Sequence, residues 1–338
     1  MTTTTSQSPA QSQAPAHAVT LIPGEWIGPE VTAVTQDILA AAGVNIAWES
    51  FDCPQGQLSP ALAESARRTG RILKSRTSAA RLEGRLPASV QLRKELNLWS
   101  QVRRVRTLPG VSARFEGVDL LVVRETSEDI YKGFEHQTAP GVFESVKVTT
   151  ASACERIARF AFDLARAEGR KKVTIVHKSN ILKKADGLFL RTAQAVAKDY
   201  PDIVCDEVIV DALCMKLVRW PTSFDVLLCG NLFGDIVADL AAGLAGGISA
   251  GGSVSVGDGV KMFENPHGFA PELVGTGKAN PIPTLLQGIA LLRDLGEHDA
   301  AARIEAALHG ALTAGLRTID QGGEDGLAEV KAAILARL

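Results

Sequence analysis

The chain has 338 residues, of which 46% are apolar and 22% charged, and its formal net charge is −2. That length holds one large or two ordinary domains with ample core. The near-neutral balance argues against general nucleic-acid binding while leaving room for a local basic cleft, and a mean hydropathy near zero with no bilayer-length apolar run excludes a membrane protein.

Residues 1–17 (MTTTTSQSPAQSQAPAH) are mostly Thr, Ser, Gln, Pro and Ala. They read as a disordered tail, with neither the apolar core of a secretory signal nor the arginines of a transit peptide. The five cysteines, Cys53, Cys154, Cys205, Cys214 and Cys229, lack paired spacing. They read as reduced thiols, and the expected location is cytoplasmic. Residues 19–22 form a short apolar strand, followed by the turn PGEWIGPEV, a helix from Pro29 to Gly43 and a second strand at 45–51. That order predicts a parallel unit in an α/β sheet. Residues 64–72 read as helix. The stretch 74–89 reads as a loop whose cations Lys74, Arg76, Arg81 and Arg85 meet one acid, Glu83. Such a patch is either an anion cleft or a solvated loop.

Residues 90–99 (VQLRKELNLW) are amphipathic and feed into VRRVR at 102–106, and 118–123 (VDLLVV) is a buried strand ending at Arg124. Open α/β sheets place ligands at the carboxyl ends of their strands. Arg93, Arg103 and Arg124 are therefore candidate carboxylate clamps, although each alone also reads as a surface charge. Tyr131, in ETSEDIYKGFEH, is either a proton donor or an interfacial aromatic. Residues 141–149 alternate like an exposed or interface strand, and 150–169 form a helix. Lys178 follows the strand 172–177 and is a candidate base or an ordinary lysine. A helix at 186–198 precedes the strand 203–210, which ends in Asp211.

The apolar run 225–229 leads into GNLFGDIVADLAAGLAGG at 230–247. Asp235 is expected to open the helix there, with Asp239 one turn on, so both carboxylates share a face. Their repulsion is offset by a hard divalent cation such as Mg²⁺ or Mn²⁺; the plain alternative is a capping Asp235 and a solvated Asp239. Residues 246–259 are glycine-dense. Residues 262–281 are turn-rich and carry His267, Glu272 and Asn280, and helices follow at 284–295, 300–316 and near Leu327.

Six segments in order, LRKELNLWSQVRRVR, VVRETSEDIYKGFEH, HKSNILKKADGLFL, VDALCMKLV, GNLFGDIVADLAAGL and FENPHGFAPELVGTGKANP, resemble the β-decarboxylating dehydrogenases of the isocitrate and 3-isopropylmalate dehydrogenase family. The resemblance runs from Val19 onward, and residues 141–190 look most like the NAD-dependent isocitrate dehydrogenases. It implies a two-domain α/β/α sandwich with a mixed sheet and not a Rossmann fold, in keeping with the lack of a GxGxxG turn. It further implies a large cofactor domain from 18–98 and 247–338, a small domain at 99–246 bearing the dimer interface, and a homodimer with shared active sites. By the same resemblance Asp235 and Asp239 bind Mg²⁺ or Mn²⁺ with Asp211 of the partner subunit. Arg93, Arg103 and Arg124 clamp substrate carboxylates. Lys178, also of the partner subunit, helps remove the hydroxyl proton, and Tyr131 protonates the enol after CO₂ leaves. His267, Gly268, Glu272, Asn280 and Asn180 fall at NAD contacts, with the Glu272 acid favouring NAD over NADP.

Two stretches depart from the family. Its opening GDGIGPE is here GEWIGPE, so Glu25 and Trp26 replace Asp and Gly. The substrate loop has Pro87 and Ser89 where isocitrate enzymes carry Ser and Asn, and Leu86, Ser89 and Val90 do not reproduce the isopropylmalate pattern. Ser89 remains a candidate substrate contact. The added Arg76, Arg81 and Arg85 suggest an anionic distal substituent. The leading expectation is NAD- and metal-dependent conversion of isocitrate to 2-oxoglutarate. The alternatives are homoisocitrate, a 3-substituted malate or a phosphonate analogue, or a non-catalytic regulatory subunit.

Overall fold

The computed structural model describes residues 17–54, 57–77, 87–247, 251–265 and 268–338. The first parallel unit is β1 (His17–Ile22), α1 (Gly28–Ala41) and β2 (Ile46–Ser50). Pro29 sits in the first turn of α1, where its missing N–H is no loss. The strand begins at His17, one residue inside the stretch expected as tail, and its ring bonds Glu297. Helix α2 (Pro60–Thr69) is capped by the Ser59 hydroxyl, which accepts from Leu62 N at 3.2 Å. It stops at Gly70, earlier than the helix expected to reach Ile72, because residues after it join the sheet as β3 (Arg71–Lys74) beside β1.

Helix α3 (Ala88–Glu95) precedes β4 (Leu98–Arg106), which runs antiparallel to β5 (Asp119–Glu125). The centre continues with the hairpin β6 (Glu135–Ala139) and β7 (Val142–Ser145), then α4 (Ala151–Ala167), β8 (Lys172–His177), α5 (Ala185–Ala197), β9 (Val204–Ile209), α6 (Val210–Arg219), β10 (Val226–Cys229) and α7 (Asn231–Leu244). The glycine-dense segment contributes β11 (Gly251–Gly257), which pairs with β4 and with β12 (Lys261–Glu264). Helices α8 (Ile282–Asp294), α9 (His298–Thr313) and α10 (Leu327–Leu335) close the chain. All strands but the hairpin form one mixed sheet, in the order β2-β1-β3-β12-β11-β4-β5-β10-β8-β9.

Alternation along β5 shows why helices cover both faces. Leu121 and Val123 pack with Phe162 of α4 and Phe189 of α5, while Leu120 and Val122 pack with Leu213 of α6 and Val237 of α7. A separate core joins Ile38 of α1 to Leu285, Ile304 and Ile334 of the last three helices. The result is an α/β fold with a large mixed sheet between helical layers. Among the described residues, no helix is long and apolar enough to cross a membrane.

Candidate active site

Helix α7 begins at Asn231, behind Gly230, so Asp235 lies in its second turn and does not open it. Its carboxylate owes little to the helix dipole, which fades within the first turn. What holds it is Arg124, buried near the carboxyl end of β5. The guanidinium donates to Asn231 Oδ1 from Nε at 3.0 Å and from Nη2 at 2.7 Å, and pairs with Asp235 through Nη1. This approach needs Gly234, because a β-carbon there would stand 2.7 Å from Arg124 Cγ. The same guanidinium lies 5.2 Å from the Tyr131 ring centroid. Tyr131 Oη donates to Asp235 Oδ2 at 2.5 Å. Burial, then that bond to a carboxylate, raises the phenol pKa, so Tyr131 keeps its proton at neutral pH. One turn on, Asp239 pairs with Arg103 of β4 at 2.7 Å.

Asp129 fixes the turn that carries Tyr131. It has φ 72 and ψ −155, a region that side chains rarely adopt. Its Oδ1 accepts from Ile130 N at 2.9 Å, and its Oδ2 accepts from Lys147 Nζ at 2.9 Å and from Leu232 N at 3.1 Å. One carboxylate thus ties the Tyr131 turn to the first turn of α7. Asp129, Lys147 and Asn231 do not stand out in the sequence. The EDIY string and the asparagine of NLFGDIVAD are the signals available for two of them.

A cleft of about 330 Å³ opens in front of this group, lined in part by Arg93, Arg124, Tyr131, Asn97 and Asn231. Two of the expected substrate residues, Arg93 in the cleft wall and Ser89 one turn before it on α3, have another partner. The Ser89 hydroxyl donates to Glu264 Oε1 at 2.6 Å, and Arg93 reaches Glu264 Oε2 at 3.4 Å. Lys74 is fully buried on the same acid, with Nζ 2.5 Å from Oε1. Lys74 is therefore not part of a solvated patch. Burial alone would raise the Glu264 carboxyl, but Lys74 and Arg93, with the hydrogen bonds from Lys74 and Ser89, outweigh it and hold the pKa down to about 2. Arg81, Arg85 and Leu86 lie outside the described residues.

Lys178 follows β8 and Asp211 stands in the first turn of α6, where they pair at 2.5 Å. That hydrogen bond holds the Asp211 carboxyl below its usual range. Among the described residues no hydrogen bond or ion pair connects them to Asp235, Asp239 or Tyr131. Nor do three metal-ligating acids, histidines or cysteines converge within the chain among those residues. In the loop after β12, Glu272 is exposed in a short 3-10 turn, and Asn280 donates to Asp320 at 3.0 Å. Gly268 belongs to the same loop and Asn180 is exposed after β8; His267 lies outside the described residues.

A family profile described as isocitrate/isopropylmalate dehydrogenase matches residues 18–334. A Dictyostelium discoideum protein named as a regulatory subunit of mitochondrial isocitrate dehydrogenase (NAD) is 40% identical over 94% of this chain and 89% of its own. The Arabidopsis thaliana isocitrate dehydrogenase (NAD) catalytic subunit 5, mitochondrial, is 41% identical over 94% and 88%. A chloroplastic 3-isopropylmalate dehydrogenase of Solanum tuberosum is 40% identical over 86% and 83%. The crystal structure of isocitrate dehydrogenase from Methylococcus capsulatus superposes with a TM-score of 0.90 at 39% identity, covering 95% of this chain and 99% of that one.

Proposed function

Because this chain belongs to the isocitrate/isopropylmalate dehydrogenase family, a family of decarboxylating NAD-dependent oxidoreductases, we propose that it oxidatively decarboxylates a malate-type 2-hydroxy acid, with isocitrate as the leading substrate. One observation carries the reading: a buried arginine, a protonated tyrosine and a half-exposed aspartate meet beside a cleft of substrate size. In the proposed reaction Arg124 and Arg103 hand their aspartates over and take substrate carboxylates. Arg93 serves as a third clamp once it leaves Glu264, and Ser89 stands beside it. Tyr131, hydrogen-bonded and protonated, delivers the proton to carbon after CO₂ departs.

The donor set suits a hard divalent cation. Asp235 and Asp239 share a helix face with their carboxylates open to solvent, and both are all-oxygen ligands. Asp211 of the partner subunit would complete the set. Bound Mg²⁺ or Mn²⁺ supplies Lewis-acid polarisation of the substrate oxygen. The separate pairing of Lys178 with Asp211 supports a site assembled from two copies. So do exposed apolar side chains on and beside the hairpin (Phe134, Phe143) and on or next to helices α6 and α7 (Met215, Trp220, Ile236). Mixing inactive Lys178→Met and Tyr131→Phe homodimers should restore activity if a shared site is correct, because one of the two sites in each hybrid is intact.

For NAD, the open loop at 268–280 offers Glu272 to ribose hydroxyls, flanked by Gly268 and Asn280. His267 and Asn180 remain the further proposed contacts. We assign 18–98 and 247–338 to the cofactor domain and 99–246 to the smaller one, as their largely separate cores suggest. All five cysteines are free, which suits the cytoplasm. The relatives' mitochondrial names make cell fractionation the check.

The deciding assay is NADH appearance with Mg²⁺ or Mn²⁺ against isocitrate, homoisocitrate, 3-isopropylmalate and a phosphonate analogue. A second reading, a regulatory role without turnover, draws on the Ser89 and Arg93 bonds to Glu264, which leave the substrate side closed. Silence with every substrate would favour it.

A further inference from the structure

Trp26 stands in the turn between β1 and α1 with φ +61. Glycine adopts that left-handed conformation freely, whereas a bulky side chain there is strained. The turn imposes it from both ends. Gly24 backs onto Arg76 so closely that a β-carbon would lie 2.2 Å from the Arg76 carbonyl oxygen, to which Glu25 N donates at 2.8 Å. On the other side of Trp26, Ile27 is buried against Ala279, with Ala270 and Leu273 beside it. Between these fixed points the tryptophan is left 48% exposed. A strained backbone that leaves half of a large ring in solvent gains less from folding than a buried tryptophan would, and such outliers point to function.

The neighbourhood suggests which function. On one side the Arg76 guanidinium lies 4.6 Å from the Phe269 ring centroid, so the loop after β12 is anchored to the segment that backs the turn. On the other, Ile27 packs on the loop that carries Glu272 and Asn280. We propose that the Trp26 indole stacks on the adenine ring of the dinucleotide and sets its affinity. This rests on the reading of residues 268–280 as the cofactor loop. Adenine offers two flat faces that an indole covers well, and an exposed aromatic held by a rigid turn loses little entropy on stacking.

Calorimetric titration with NADH and with ADP-ribose, which keeps adenine and lacks nicotinamide, tests the proposal. Trp26→Gly should weaken both ligands about tenfold, the usual scale for losing one base–aromatic stack. Trp26→Phe should keep most of the affinity and Trp26→Leu should not. The melting temperature of Trp26→Gly should equal or exceed the wild-type value, since glycine accepts φ +61 without strain; weaker binding then does not reflect unfolding. Wild-type indole emission should fall as ADP-ribose binds, and this change should vanish in Trp26→Phe. Wild-type affinity in Trp26→Gly or Trp26→Leu overturns the proposal, as does a loss for NADH without one for ADP-ribose. A wild-type protein that binds neither ligand overturns the cofactor reading itself, and this one with it.

Discussion

Two knots of charge in this protein use the same residue types and differ in which partner is buried. At α7 the cations are inside and the acids outside: the side chains of Arg124 and Arg103 are 6% and 10% exposed, those of Asp235 and Asp239 48% and 74%. In the knot of Lys74, Arg93 and Glu264 both signs are buried. The first arrangement can exchange partners, because each exposed acid reaches solvent or a cation while the arginine waits for a carboxylate. In the second, Lys74 and Glu264 cannot exchange cheaply, since either alone would be an uncompensated charge in a poor solvent. Arg93, at 3.4 Å, is the one member free to leave. Each knot puts one arginine into the cleft, Arg124 from the first and Arg93 from the second.

The largest expected effect tests the open knot. Tyr131→Phe removes the donor to Asp235 and should lower kcat by about 10²–10⁴, the usual span for a positioned acid, with little change in KM or in melting temperature. A loss confined to KM would mean that Tyr131 only lines the cleft. The closed knot should respond in stability instead. Lys74→Met leaves Glu264 buried beside Arg93 alone and should cost about 3–5 kcal/mol in denaturant unfolding. Asp239→Asn, at a pair whose acid is exposed and where the amide oxygen can still accept from Arg103, should cost about 1 kcal/mol or less. Equal costs at the two sites would erase the distinction.

Acid sharpens the same contrast. The Glu264 carboxyl falls from an ordinary 4.5 to about 2 on folding. A depressed carboxylate contributes stability above its unfolded pKa, and that stability is lost as pH drops through the folded value. The window is therefore about pH 4.5 to 2, and the loss is about 3 kcal/mol. Urea unfolding at steps across that window should show the fall in wild type and a much smaller one in Glu264→Gln. A wild-type curve flat over this range would mean that the closed knot contributes nothing by charge.

Each part of the open knot carries a local signal: two acids at i, i+4, an arginine at a strand end, a tyrosine in a turn. Their grouping is expected only from the family resemblance, since Arg124 and Tyr131 stand 111 and 104 residues from Asp235. The closed knot carries no such signal. Lys74 and Glu264 are 190 residues apart, and Lys74 looked like one cation among four in a loop. Strand β11 was hidden for a related reason, since glycines carry little strand preference and its order comes from pairing with β4 and β12. Gly234, just before the expected helix start at Asp235, sits inside α7, where its missing side chain makes room for Arg124. The helix therefore starts at Asn231 and not at Asp235, while the face shared by Asp235 and Asp239 is unchanged.

The smallest effect concerns what holds the open knot in register. Asp129 accepts backbone strain to bond Ile130 N, Lys147 and Leu232 N at once. Asp129→Gly releases that strain, of order 1–3 kcal/mol, and gives up the three bonds, of which Lys147 keeps a second acid, Asp186, at 3.4 Å. Stability should then change by less than about 1 kcal/mol, because the two effects oppose each other. The turn of Tyr131 and the first turn of α7 would no longer share an anchor, and kcat should fall about tenfold through looser alignment of Tyr131 with Asp235. Asp129→Asn keeps the strain and loses the charge that faces Lys147, so it should be the less stable of the two and the more active. If Asp129→Gly keeps full kcat, the anchor is dispensable and Arg124 alone positions the acid. If it unfolds, the three bonds outweigh the strain they impose.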